Sequence, residues 1–325
     1  MCERGTTLRR IDLIDVLSAA GPVVVVGLGL VLVDRLLGDD VPAPLVLARG
    51  LRVAGAAAAV ASLVISPGGL AGAFALGWFV VCLCAAAGGV ALLARLRSPS
   101  QLAGAAPAYP LVVGTVAVGL VYLGVAGAWL VISRFGLRPF DLSTDIVRLT
   151  SVHFHYAGFG LPLLGAAGLS AVDWLASRLA LVTGCLTAIA GPPVVASGFV
   201  LDWAVGHVGG AVIMTIAAWS VAFGIFLLST STSALASVPV RGRGVAQGIG
   251  RSLLVVSSLC PWVPMVLAVQ WALAQHVSVP ALTIDAMAST HGVLNGIGFV
   301  AGGLTGWLLT GLPVAGGPQM APAAR

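Results

Sequence analysis

The chain has five histidines, and imidazole is the side chain best suited to proton transfer near neutral pH. They are His153, His155, His207, His276 and His291. If the apolar runs around them are membrane-spanning helices of alternating direction, all five lie at one end of the bundle. Titratable groups collected in one place predict general acid–base chemistry there.

The segment Arg148-x4-His153-Phe-His155-Tyr156 is the densest of these motifs. Arg148 and His155 are seven residues apart and therefore share one helix face. His153 and His155 differ by about 200° around a helix axis, so they cannot both point at one ligand unless the helix is irregular. We expect one imidazole to face the interior of the bundle and the other to face a neighbouring helix.

Two further motifs combine histidine with a carboxyl or amide group. Asp202 is five residues before His207, and His291 is four residues before Asn295. An amide one turn from an imidazole can fix its tautomer. Ionisable groups inside a membrane are costly, and they favour a functional role. Histidine near a helix end can equally donate to a carbonyl, so both interpretations stay open.

We therefore predict a site that needs neither a cofactor nor a metal ion. The candidate catalytic residues are His155, His153, His207, His291, Asp202 and Asn295. The candidate substrate-binding residues are Arg148, Tyr156 and Asp285. The expected chemistry is protonation-driven cyclisation, isomerisation or ring opening of a lipophilic small molecule, and a biosynthetic pathway is the expected context.

The elements that carry these residues are predicted to be transmembrane helices. The chain is 59% hydrophobic and only 8% charged, with a mean hydropathy of +1.07. A soluble domain carries about 25% charged residues. Repeated apolar runs of about 20 residues each span a bilayer as a helix. The fold class is therefore an all-α polytopic bundle of about nine spans.

The predicted spans lie between Arg, Asp, Pro and Gly residues. They are Val16–Val33, Val46–Ile65, Leu70–Leu93, Leu111–Ser133, Leu149–Val172, Leu179–Leu201, His207–Ser229, Ile249–Ala272 and Ala286–Leu312. No connection is long enough for a separate domain, so residues 1–325 form one integral membrane domain. It divides weakly into N-terminal spans (1–133) and motif-bearing C-terminal spans (134–325).

The charges predict orientation rather than a nucleic-acid partner, which would need a dense basic face. All 16 basic residues are Arg, which suggests a GC-rich bacterial genome and hence the inner membrane. Ten of them fall on the side of the C-terminus, which the positive-inside rule places in the cytoplasm, with the N-terminus outside. The expected partners are the lipid bilayer and a lipophilic substrate. The oligomeric state is left open.

Two segments resemble the YndJ-like family of bacterial membrane proteins. They are Thr150-Ser-Val-His153-Phe-His155-Tyr156-Ala-Gly158-Phe159 and Thr290-His291-Gly292-Val-Leu-Asn295-Gly-Ile-Gly298-Phe299. The resemblance covers about the C-terminal half of the chain. It implies that the two motifs form a shared site, and the family's frequent label as transporters implies transport as an alternative activity.

Two other functions remain open beside the enzyme. A secondary transporter or exporter, coupled to protons through the same residues, would need polar residues that continue to the opposite face. A single-metal or haem redox protein would use two or three of the histidines as ligands. Gly191-Pro192-Pro193 predicts a kink whose freed carbonyls either line a cavity or bond to neighbours. No nucleotide-binding loop or His-Glu-x-x-His motif occurs.

Overall fold

We analysed a computed structural model of the chain, which describes residues 11–98, 106–172, 174–231 and 244–311. These residues form helices and no β-strand. The nine helices are α1 (Leu13–Leu37), α2 (Ala43–Val64), α3 (Gly69–Arg95), α4 (Tyr109–Phe135), α5 (144–170), α6 (Leu175–Leu201), α7 (Ala204–Thr230), α8 (Gly244–Ala274) and α9 (Ile284–Thr310). Each predicted span corresponds to one of them, so the fold class is confirmed.

Eight of these helices are long and apolar enough to cross a membrane. Many large apolar side chains on them point outward, such as Val53 on α2, which is 71% exposed, and Val90 on α3. Apolar surface of this extent suits contact with lipid and does not suit contact with water. The chain is therefore an integral membrane protein, and its outer surface contacts the bilayer.

Helix α5 is the one that falls outside this set, because polar residues fill its first half. Its second half is apolar, and every residue from Leu161 to Leu169 is buried. It packs against α1, α4, α6, α7 and α9. The helix that carries the first histidine motif thus runs through the centre of the bundle, enclosed by its neighbours.

Three helices contain π-helical segments, in which the backbone bonds run from residue i to i+5. These segments are Gly21–Val25 in α1, Phe154–Gly160 in α5 and Ala288–Ala301 in α9. The α1 segment includes Pro22, which lacks the N–H that an α-helix needs. The three segments pack against one another at the histidine-bearing end. Such segments are rare, and they occur frequently at functional sites.

Helix α6 runs continuously through Pro192 and Pro193. Because Pro193 has no N–H, the carbonyl of Ile189 loses its helical partner. The hydroxyl of Tyr122 on α4 donates to that carbonyl at 2.5 Å. A neighbouring helix therefore satisfies this freed group, which does not line a cavity.

Several residues of the charge analysis lie outside the described residues. They are Arg4, Arg9, Arg10, Arg241, Arg243 and Arg325.

Within α2, Arg49 and Arg52 both have partners on α1. Arg49 forms an ion pair with Asp34 at 2.5 Å, and Arg52 donates to the carbonyl of Gly27 at 3.0 Å.

Candidate functional site

His155 is fixed in the interior of the protein. Its Nδ1 donates to the carbonyl of Ser151 at 2.8 Å, and its Nε2 accepts from the indole N–H of Trp78 on α3 at 3.0 Å. The two rings are stacked with centroids 5.9 Å apart, and both residues are buried. Both ring nitrogens are occupied by protein groups, so this imidazole has no free position for a substrate.

His153 faces a different neighbour, as the angular spacing on α5 predicts. Its ring lies 6.1 Å, centroid to centroid, from that of His291 on α9. His153 is exposed and His291 is half-buried, so the pair lies at the edge of the packed core. We call this place, between α5 and α9 and bordered by His153, His291 and Asn295, the histidine cleft.

Both rings of the histidine cleft are held through Nδ1. That of His153 donates to the carbonyl of Leu149 at 2.7 Å. That of His291 lies 2.9 Å from the carbonyl of Pro264 on α8. Neither Nε2 has a hydrogen-bond partner among the described residues. Two imidazole nitrogens are therefore left free for a third molecule.

Asn295 gives His291 a second partner at the same nitrogen. Its amide Nδ2 lies 3.2 Å from the Nδ1 of His291, one turn away on α9. As an N–H, Nδ1 donates to the carbonyl of Pro264; as a lone pair, it accepts from the amide of Asn295. Both neutral tautomers of His291 are therefore hydrogen-bonded. Its Nε2 can present a lone pair in one tautomer and a proton in the other.

Asn295 also has an unused polar atom. Its Oδ1 is buried and has no hydrogen-bond partner among the described residues. On its other side, Nδ2 lies 3.5 Å from the sulfur of Met265 on α8. A buried acceptor without a partner is costly, and a ligand that donates a hydrogen bond would relieve that cost.

Tyr156 packs beside the cleft and has no free hydroxyl. Its O–H donates to the carbonyl of Leu17 on α1 at 3.0 Å. Its ring packs against Gly296, where an added Cβ would lie 3.0 Å from the ring. Tyr156 therefore joins α1, α5 and α9, and its hydroxyl is committed to the backbone.

Beyond Tyr156 and Asn295, the facing parts of α5 and α9 are apolar. Residues 157–170 and 296–310 contain no titratable side chain. Large buried side chains fill this part of the two helices: Phe159, Leu163, Leu164, Phe299, Val300, Leu304 and Trp307. The polar layer of the histidine cleft therefore does not continue along these helices to the opposite end of the bundle.

Arg148 is part of an ion cluster with the start of α1. Its guanidinium donates to Asp12 at 2.6 Å and to Asp15 at 2.9 Å, and it lies 3.5 Å from Asp145. Asp12 and Asp15 also form a capping box at the N-terminus of α1. Arg148 thus ties the first turns of α1 and α5 together.

His207 lies in a second histidine pair. Its Nδ1 is 2.7 Å from the Nε2 of His276, in the loop between α8 and α9. His207 is buried and its own Nε2 has no hydrogen-bond partner in the described part of the chain, while His276 is exposed. Asp202 ends α6 in a left-handed conformation, and Asp285 is exposed in the first turn of α9.

The structure therefore divides the predicted site into three parts. His153, His291 and Asn295 come together, His155 is enclosed with Trp78, and His207 pairs with His276. Among the described residues, no three His, Cys, Asp or Glu side chains are grouped to hold a metal ion. The histidine cleft therefore offers a metal ion at most two histidine ligands, which are its two free Nε2 atoms.

The sequence did not predict three of these partners, which are Trp78, Pro264 and, as the contact of His207, His276. Trp78 lies in an apolar run with no polar neighbour, and the carbonyl of Pro264 has no side-chain signal. The sequence predicts His276 at the same end of the bundle as His207. This shared position is the signal that could have indicated their contact. Pro22 in α1 and Pro162 in α5 are the residues of the sequence that could have indicated irregular helices.

Comparison with known proteins places this arrangement in a family. The model of the YndJ-like protein family matches residues 16–299, which extends from α1 into α9. The match includes the N-terminal helices as well as the two motifs that carried the resemblance. No curated protein and no solved structure matches the chain. Because the family model covers more than half of its length, the chain belongs to the YndJ-like family.

Proposed function

We propose that the protein is a membrane-embedded enzyme that performs cofactor-free acid–base chemistry on a lipophilic small molecule. One observation carries this proposal: His153 and His291 face each other with both Nδ1 atoms anchored and both Nε2 atoms free. Two positioned imidazoles can remove a proton from one atom of a bound molecule and deliver one to another.

The anchoring partners favour different roles for the two rings. A carbonyl only accepts hydrogen bonds, so Leu149 holds His153 as the Nδ1–H tautomer, with a lone pair on Nε2. This nitrogen is the base that removes a substrate proton. His291, whose Nδ1–H is held on the carbonyl of Pro264, receives this proton from His153 at its Nε2 and delivers it to a second substrate atom. Both rings are then neutral again, as they were before the reaction.

The net reaction is an isomerisation or a ring closure, in which one proton leaves the substrate and one arrives. The substrate is expected to be largely apolar, because the histidine cleft opens between helices of a membrane protein. It should carry one hydrogen-bond donor that reaches the buried Oδ1 of Asn295. Asp285 is exposed at the start of α9 and remains available at the mouth of the cleft.

Export of a small molecule is the alternative function, and the apolar region below the cleft speaks against it. A proton-coupled path needs polar groups across the membrane. The parts of α5 and α9 beyond the cleft, residues 157–170 and 296–310, contain no titratable side chain. A single metal ion as redox centre would need more protein ligands than the two free Nε2 atoms, as most metal sites use three or four. A haem needs only one or two axial ligands, so the haem alternative stays a prediction.

A deletion strain of the native host separates the enzyme from the exporter. Metabolites are extracted separately from cells and medium, with and without a wild-type copy of the gene. We expect the deletion strain to accumulate a precursor that differs from the finished compound by proton positions or a ring. Unchanged finished compound trapped inside the cells would contradict the enzyme and support export.

We further propose that the histidine cleft opens on the extracytoplasmic side of a bacterial inner membrane, with the C-terminus in the cytoplasm. The excess of arginine on the other side supports this orientation. Single cysteines at Gln275, before α9, and at Arg97, after α3, test it in a chain with its native cysteines replaced. A membrane-impermeant thiol reagent applied to whole cells should label the first and spare the second; the reverse pattern would contradict the orientation.

A further inference from the structure

Arg52 places a positive charge deep within the membrane-spanning part of α2. It lies nine residues after Ala43, which is about 13 Å along the helix axis. Its guanidinium donates to the carbonyl of Gly27, near the middle of α1, at 3.0 Å. A charged side chain at such depth costs roughly 3 kcal/mol on insertion scales unless a partner compensates it.

No carboxylate of the described residues compensates this charge. Arg49, one turn earlier on the same face of α2, is paired with Asp34 at 2.5 Å. Arg52 has only the Gly27 carbonyl, which is a dipole and carries no net charge. The guanidinium has five N–H donors, and one hydrogen bond leaves most of them free. The site therefore lacks a counter-anion within the described protein.

The space beside Arg52 is open to the bilayer. A Cβ added at Gly27 or at Gly50 would meet nothing within 4 Å. The neighbouring apolar side chains of Val31 on α1 and Val53 on α2 are exposed. The groove between α1 and α2 thus combines an unneutralised cation with an apolar wall facing lipid.

More positive charge lies at the same end of the bundle. Arg35, at the end of α1, donates to the carbonyl of Leu308, and Arg95, at the end of α3, donates to the carbonyl of Asp40. Among the described residues, both guanidinium groups bond only to backbone carbonyls. Basic pockets between membrane helices are a common binding site for anionic lipid headgroups.

We propose that the α1–α2 groove binds the phosphate of an anionic phospholipid through Arg52, with Arg49 close by, where its pair with Asp34 keeps that carboxylate from repelling the phosphate. The phosphate supplies the missing counter-anion, and guanidinium is the side chain best matched to it in geometry. The acyl chains lie against the exposed apolar side chains of the groove. This site is separate from the histidine cleft: its contacts with α1, at Gly27 and Asp34, lie in the second half of the helix, whereas Tyr156 beside the cleft contacts Leu17 in the first half.

Lipid-dependent melting of the full chain in neutral detergent tests this proposal. The melting temperature is followed while phosphatidylglycerol, phosphatidylcholine or inorganic phosphate is titrated into the wild type and into variants. The variants are Arg52→Gln, Arg49→Gln, the charge-conserving Arg52→Lys, and Arg178→Gln. The last removes an exposed arginine from the start of α6, which belongs to the same side of the membrane.

We expect phosphatidylglycerol to raise the melting temperature of the wild type more than phosphatidylcholine does. Each Gln substitution in the groove should weaken lipid binding and so raise the half-saturating lipid concentration about five-fold. Arg52→Lys keeps the charge and should retain more of the lipid response than Arg52→Gln, and Arg178→Gln should stay close to the wild type. If Arg52→Gln does not fold, Arg49→Gln still tests the groove. An equal response of the groove variants and Arg178→Gln would overturn the proposal, as would an equal rise with inorganic phosphate alone.

Discussion

The imidazole rings of His153 and His291 lie 6.1 Å apart, although 137 positions separate the residues along the chain, and each ring is anchored by Nδ1 on a backbone carbonyl. This relationship joins the central helix α5 to the last helix α9. It leaves two proton-transfer atoms at the edge of the packed core in a protein with few charges. The following predictions test the contacts that build this arrangement.

The tautomer of His291 is expected to depend on the amide of Asn295. Asn295→Leu keeps the approximate size of the side chain and removes the donor, which leaves the Pro264 carbonyl as the remaining partner of Nδ1. We expect product formation to fall about tenfold or more, because the substrate also loses the Oδ1 acceptor that would position its hydrogen-bond donor. The melting temperature should change little, and the pH dependence of product formation should shift. An unchanged pH dependence would assign Asn295 a purely structural role.

His155 is expected to contribute to stability and not to proton transfer. His155→Phe leaves the buried indole N–H of Trp78 without its acceptor, which costs about 1–3 kcal/mol. Trp78→Phe removes the donor instead. In the double variant neither unpaired group remains, so the free energy of unfolding should fall by less than the sum of the two single effects. Strict additivity would show that the hydrogen bond contributes nothing.

Arg148 is expected to hold the start of α1 against α5. Arg148→Gln removes the charged hydrogen bonds to Asp12 and Asp15, of which Asp15 is 2% exposed. The free energy of unfolding should fall by about 2 kcal/mol. Asp145→Asn is the matched control, because its pair with Arg148 is longer and exposed, and it should cost about 0.5 kcal/mol or less. Equal losses in the two variants would contradict this assignment.

The hydroxyl of Tyr122 is expected to matter only because Pro193 lacks an N–H. Tyr122→Phe leaves the Ile189 carbonyl without its donor and should cost about 1 kcal/mol of unfolding free energy. In a Pro193→Ala background, the new backbone N–H can bond to Ile189 instead. The same Tyr122→Phe change should then cost less. A cost that is the same in both backgrounds would argue against this exchange of donors.

Much of the fold could be predicted from the sequence, because long apolar runs have one common solution in lipid. The nine helices follow from the positions of Arg, Asp, Gly and Pro. The opposite directions of His153 and His155 follow from the helical period, even though π-helical turns begin at Phe154. Because successive helices alternate in direction, the odd-numbered helices all begin on the same side of the membrane. The collection of polar residues at that side follows from this alternation alone.

The partners within that face could not be predicted, because they depend on how the helices pack. His155 and Arg148 were expected at a shared site, yet Trp78 and the aspartates of α1 take up their donors and acceptors. His207 was grouped with His291 because both lie near the same end of the bundle. In the structure, its Nδ1 contacts His276, whose position depends on the loop after α8.

The most direct test complements the deletion strain with histidine variants and measures the ratio of product to precursor in cells. The variants are His153→Ala, His291→Ala and both together, with His276→Ala as a control from the other histidine pair. Each change in the cleft should lower the ratio at least about 100-fold, and the double change should add little, because the two rings act as a unit. His276→Ala should stay near the wild type. A ratio that survives both cleft substitutions, or that falls equally in His276→Ala at equal protein levels, would contradict acid–base catalysis by His153 and His291.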